Sequence, residues 1–120
     1  MADVLKRTVR ARVLLTNNER TMFDDEYYEK DAAFTESTHQ RIVLGTNMAS
    51  SAEIDLSGVN TGAVFFFECD REVSVGINTT TNLLVLGDNG TMLFTGAFSH
   101  VYVQNNSHTY TSTVEIVVTD

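Results

Sequence analysis

One cysteine, no tryptophan and only 8 Lys+Arg among 120 residues already narrow what this chain can be. A lone cysteine excludes a disulfide framework. Eight basic residues against 16 acidic ones give a formal charge of −8. That balance argues against wrapping DNA or RNA, because phosphates must be met by Lys and Arg. No segment approaches the roughly 18 consecutive apolar residues of a membrane span. The opening Met1-Ala2-Asp3-Val4-Leu5-Lys6-Arg7 lacks the apolar stretch of a signal peptide. The expectation is a protein made in a cytoplasm and kept there, or assembled there into something larger. Without tryptophan, the flat platform that sugar-binding sites favour is missing as well.

What is present is enough for one domain. Hydrophobic residues make up 42% of the chain, too many for a disordered tail. A chain of this length buries roughly 65% of its unfolded surface and folds unaided. Charge is unevenly spread. Residues 1–20 hold five cations against two acids, a local balance of +3, which leaves −11 for the remainder. Residues 24–31 then hold five acids and one lysine. Such asymmetry marks either an arm that meets a partner or simply a solvated face.

The apolar period is mostly two. In Thr8-Val9-Arg10-Ala11-Arg12-Val13-Leu14, Val9, Ala11 and Val13 face one way and Arg10 and Arg12 the other, the pattern of a half-buried strand. A helix over 3–15 competes, since Leu5, Val9 and Val13 recur at four. Residues 17–36, polar and acidic with scattered aromatics, read as a long loop with room for a helical turn. From residue 38, runs rich in Val, Ile, Leu, Phe and Thr alternate with Gly, Asn, Asp and Ser. They predict strands at 39–44, 52–56, 63–69, 73–77, 83–86, 92–94, 99–103 and 111–118. Gly87-Asp88-Asn89-Gly90 and Asn105-Asn106-Ser107 read as turns. The expected fold is all-β: an antiparallel β-sandwich, jelly-roll-like, with an extended N-terminal segment. Residues 1–37 form an arm, strand and acidic loop; residues 38–120 form the sandwich core of the same domain.

Val64-Phe65-Phe66-Phe67 breaks the alternation. A continuous apolar run implies cover on both faces, by a loop or by another subunit. Phe65, Phe66 and Phe67 are therefore candidate interface residues, as are Arg10 and Arg12 of the basic segment.

Chemistry is hard to find. Cys69 sits between Glu68 and Asp70, whose charges disfavour a thiolate, so it reads as a core thiol. His39, His100 and His108 do not stand at the spacing of a helical zinc pair. His100 and His108 flank a turn, but two ligands do not make a structural metal site. Glu53 with Asp55, and Glu68, Asp70 and Glu72, offer carboxylate pairs of the kind glycosidases need, with nothing to mark either set as buried. Asp88-Asn89-Gly90 is a fragment of a calcium loop that lacks its other ligands. No phosphate loop or nucleophile elbow appears. The expectation is a non-enzyme with no cofactor and no metal. The sequons at 78–80, 89–91 and 105–107 read as by-products of a Thr/Asn-rich composition.

The segment from Glu53 onward carries a resemblance. It reads Glu53-Ile-Asp-Leu-Ser-Gly58, Ala63-Val-Phe-Phe-Phe-Glu-Cys-Asp70 and Val73-Ser-Val-Gly-Ile-Asn78. Leu93-Phe-Thr-Gly96, Val101-Tyr-Val-Gln-Asn105 and Val114-Glu-Ile-Val-Val-Thr-Asp120 follow. In style and order it resembles small virion structural proteins of tailed bacteriophages, head decoration or cement proteins above all. The resemblance covers about the C-terminal half and contains no catalytic motif. It implies a non-enzymatic virion subunit, assembled in the host cytoplasm, that clamps the outer surface of a head. Its implied partners are its own copies, as a homotrimer, and a major capsid protein; no nucleic acid and no membrane are implied. The alternative is a carbohydrate- or receptor-binding module of a phage tail or fibre, using Tyr27, Tyr28, Tyr102 and Tyr110. An acid-based hydrolase comes third.

Overall fold

In the computed structural model, which describes residues 4–120, the chain is all-β with antiparallel pairing throughout and no helix among the described residues. It divides into two compact units, Met1–Thr35 and Glu36–Asp120.

The first unit is a two-stranded ribbon. Strand β1 (Lys6–Asn17) runs into β2 (Arg20–Ala33) through a two-residue turn. Both turn residues, Asn18 (φ 48°) and Glu19 (φ 66°), are left-handed. That is the backbone of a type I′ hairpin, whose twist matches that of the flanking strands. Asn accepts this conformation; Glu does so at a cost. The long loop expected over residues 17–36 is thus mostly strand. Acidic residues are poor strand formers on average. Here they are held by partners on β1, and pairing outweighs propensity. The competing helix over 3–15 is absent among the described residues.

The second unit holds two four-stranded sheets. Its strands are β3 (Ser37–Leu44), β4 (Ala52–Glu53), β5 (Gly62–Cys69), β6 (Val73–Ile77), β7 (Leu84–Leu86), β8 (Thr91–Phe98), β9 (Val101–Gln104) and β10 (Ser112–Thr119). One sheet has the order β3-β10-β5-β8 and the other β4-β9-β6-β7. Among the described strands of this unit, β6 and β7 alone are neighbours both in sequence and in a sheet.

Alternation decides which side chains meet. In β10, Val114, Ile116 and Val118 are fully buried, while Thr113, Glu115 and Val117 take the opposite face. Their register partners on β5 are Cys69, Phe67 and Phe65, which therefore share the buried face. Phe65 and Phe67 stack with ring centroids 5.8 Å apart, and Phe98 meets Phe65 edge-on at 5.9 Å. Val73, Val75, Val101 and Val103 from the other sheet join the same core, with Ile54, Leu56 and Val59 from the β4–β5 connection. Gly62 is required by this packing: a Cβ there would lie 2.2 Å from the Phe98 ring.

Strand β4 is shorter than the pattern at 52–56 suggests. The Ile54 N–H still bonds to Val101 O at 2.8 Å, but the Asp55 carboxylate then accepts the Ser57 N–H and turns the chain. Strand β8 is longer than expected and runs on to Phe98.

The connection after β9 is tied by a buried amide. Asn105 is fully buried, and its Nδ2 donates to Tyr110 O (2.8 Å) and Gly45 O (3.1 Å). Its Oδ1 accepts the Ser107 N–H at 3.0 Å. This is more than a surface turn, and the amide of that sequon is enclosed.

Candidate functional site

The ribbon is built from complementary charges. Strand β1 carries Lys6, Arg7, Arg10 and Arg12 and no acid. Strand β2 carries Asp24, Asp25, Glu26, Glu29 and Asp31 with Arg20 and Lys30. Arg7 Nε lies 2.8 Å from Glu29, Arg10 Nε 2.8 Å from Glu26 and Arg12 Nε 2.9 Å from Asp24. Arg12 binds Asp24 through two parallel bonds, and Arg10 also lies over the Tyr28 ring. The hydrogen bond and charge of Arg12 hold the Asp24 carboxyl below its ordinary range. The basic residues singled out as partner-seeking, Arg10 and Arg12, thus engage the chain's own acidic segment.

Pairing also sorts the faces. Arg10, Arg12 and Leu14 share one face with Asp24, Glu26 and Tyr28. Val9, Ala11, Val13 and Leu15 share the other with Phe23, Asp25, Tyr27 and Glu29. Val13 and Leu15 are 55% and 54% exposed and Phe23 48%, so the apolar face stands open. An isolated two-stranded ribbon is marginally stable in water at best. One with an uncovered apolar face has the character of an interaction element.

The second unit offers a lesser apolar surface. On the outer face of the β3-β10-β5-β8 sheet, Val117, Phe66 and Leu93 form a row of directly paired, half-buried side chains. Of the three candidate phenylalanines, only Phe66 lies on this face; Phe65 and Phe67 are core.

The remaining candidates do ordinary work. A hollow of about 380 Å³ is lined by Arg41, Glu68, Asp70 and Glu115 among others. Asp70 accepts the Thr113 N–H at 2.8 Å, which holds its carboxyl below the usual range. A glycosidase acid needs the opposite shift. Burial pushes the Cys69 thiol up, and its Sγ faces Gly87 O at 3.5 Å. His39 pairs with Glu115 at 2.7 Å, His100 with Glu53 at 2.6 Å, and His108 with Asn47. Each histidine has a different partner, and no cluster of three metal-capable side chains forms among the described residues. Tyr102 stacks on His100, and Arg71 covers Tyr110.

Strand β1 lies where the alternation of Thr8–Leu14 predicts a strand, whereas its partner β2 lies where a loop is expected, although a signal for the pairing exists. Each arginine and its acid lie equally far from Asn18 in sequence, the spacing of diagonal neighbours in a hairpin that turns at Asn18-Glu19. Comparison with family models, curated proteins and solved structures finds no match for this chain.

Proposed function

We propose that this chain is a non-catalytic assembly subunit: a jelly-roll β-sandwich body with a β-ribbon arm that docks on other subunits. One observation carries the reading: the ribbon of residues 6–33 exposes an apolar face that needs cover. The strand orders β3-β10-β5-β8 and β4-β9-β6-β7 support the jelly-roll assignment. They are the orders produced when a long hairpin of eight strands, with β6 and β7 at its tip in one sheet, is rolled so that the other successive strands alternate between two sheets. Jelly rolls are a recurrent architecture of viral capsid and lectin domains. A fold alone does not specify a role, so the role rests on the ribbon.

The more specific form of the reading draws on the resemblance to tailed-phage virion proteins. In that form the protein is a homotrimeric decoration or cement protein on the outer capsid surface, bound to the major capsid protein. The test is direct. Virions of the source phage, purified with and without this gene, are compared by mass spectrometry and cryo-microscopy. The reading expects density of this chain outside the head and earlier loss of packaged DNA on heating without it. Absence of the chain from purified virions removes the virion role.

The carbohydrate-binding alternative has one supporting feature. A hollow of about 540 Å³ on the second unit is lined by Glu53, Asp55, Asn60 and His100. A glycan array separates the two readings, since a cement protein binds capsid and no sugar.

A further inference from the structure

Strands β1 and β2 have one hydrogen-bonded neighbour each. Among the described residues the outer row of N–H and C=O groups along both is therefore open, apart from the Glu26 N–H, which the Asp25 carboxylate accepts. The regular stretch between the two bulges, Val9–Leu15 against Phe23–Glu29, is long enough to template another strand. Charged edges ordinarily keep strands apart. Here the signs are segregated by strand: cations alone on β1, mostly acids on β2. Two β1 edges would set Arg against Arg, and two β2 edges would set acid against acid. A β1 edge against a β2 edge sets opposite charges side by side, as they already stand within one ribbon.

We infer that the ribbon pairs edge to edge with the ribbon of a second copy of this chain, β1 of one copy against β2 of the next. This rests on reading the ribbon as an assembly arm, and it names the partner. The contact is heterologous, because different edges meet, so repetition by rotation closes a ring. Arg12 uses Nε and one Nη on Asp24, leaving further N–H groups for an acid of the neighbouring copy. Successive copies align Val9, Val13, Leu15, Phe23 and Tyr27 into one apolar surface. A ring closed with that surface inward removes both open edges and the apolar face from water. Three copies would close six strands.

The full chain tests this by light scattering at tens of micromolar and moderate salt. The expected result is an oligomer. Arg10→Glu combined with Arg12→Glu should give a monomer that keeps the β circular-dichroism signal of the second unit, where the core lies, even if its own ribbon loosens. A second measurement reads the pairing itself. Copies bearing Ala11→Cys are mixed with copies bearing Tyr27→Cys and treated with a bis-maleimide. Mixed cross-links should exceed those formed within either preparation alone. A monomeric wild-type chain overturns the inference, as does equal cross-linking between two β1 cysteines. The two proposals fail separately. A monomer that still attaches to virions through its ribbon overturns self-pairing and leaves the assembly role. An oligomer that never attaches to virions keeps the pairing and removes the virion role.

Discussion

Arg12 and Asp24 bind through two 2.9 Å bonds although they are not opposite each other in the ribbon register. Glu26 stands opposite Arg12, and Leu14 opposite Asp24. Arg10 likewise passes over Tyr28 to reach Glu26, and Arg7 reaches Glu29 rather than Ala32. All three arginines lean toward the turn, so the charge pairs fix the hairpin in one register.

This pairing makes ribbon order pH-dependent with a definite sign. The hydrogen bonds and charge of Arg12 hold the Asp24 carboxyl below the ordinary range of an aspartate. A carboxylate whose pKa is lowered on folding stabilises the folded form fully above its unfolded pKa. That contribution is lost as pH falls through the lowered value. Protection of the β1 and β2 amides, taken relative to their intrinsic exchange rates at each pH, should therefore be steady from neutral pH to about 5 and fall below about 4. Asp24→Asn should exchange faster already at neutral pH and show a smaller acid response. Equal exchange in the variant at neutral pH would show that the pair does not hold the ribbon.

Adjacent phenylalanines should behave differently. Phe67 is fully buried, stacked on Phe65 and opposite Ile116. Phe67→Ala should cost about 3–5 kcal/mol in a urea titration. Phe66 lies on the outer face between Val117 and Leu93. Phe66→Ser should cost about 1 kcal/mol or less, as for substitutions outside the core. A comparable loss at both positions would contradict the assignment of the two faces.

The contrast between these neighbours bears on what was legible in the sequence. Alternation in Val114, Ile116 and Val118 was visible, and so were nearly all strands of the second unit, because one buried face repeats every second residue. Val64 to Phe67 showed that both faces are apolar but could not say which pair points inward; the β10 register decides that. In the ribbon, the alternation of Val9, Ala11 and Val13 made β1 legible. Strand β2 was hidden because its acids lower its apparent strand propensity. The Asn18-Glu19 turn also lacks the glycine that usually announces a tight hairpin. The strand orders could not be read either, since crossing connections leave no periodic trace.

Asn105 stands in a turn by its sequence and is a buried brace in the fold. Its side chain joins the β3–β4 connection at Gly45 to the β9–β10 connection at Tyr110 and Ser107. Asn105→Ala removes the donor from two part-buried carbonyls and leaves a gap where the amide is enclosed, and should cost about 1–2 kcal/mol. The same enclosure predicts no glycan at Asn105 in material from a glycosylating host. Occupancy in folded protein, read by intact mass, would contradict the burial.

Asp25 offers a test of whether the apolar face of the ribbon is covered. It stands opposite Val13, between Phe23 and Tyr27 on the same face. Glu29, the other acid there, is paired with Arg7, whereas the Asp25 carboxylate accepts the backbone N–H of Glu26. An exposed face tolerates such a carboxylate at no cost. A face that closes on other copies must desolvate it, which opposes assembly. Asp25→Val removes that penalty and adds apolar area, worth roughly 1.5 kcal/mol or more if buried. Self-association should then tighten about tenfold, since about 1.4 kcal/mol is one decade. Sedimentation across a concentration series reads this, with Asp25→Asn as the control that removes charge without adding bulk. The expected order of affinity is valine, then asparagine, then wild type. Wild-type affinity in both variants would place this face in solvent within the assembly and leave the strand edges as the sole contact.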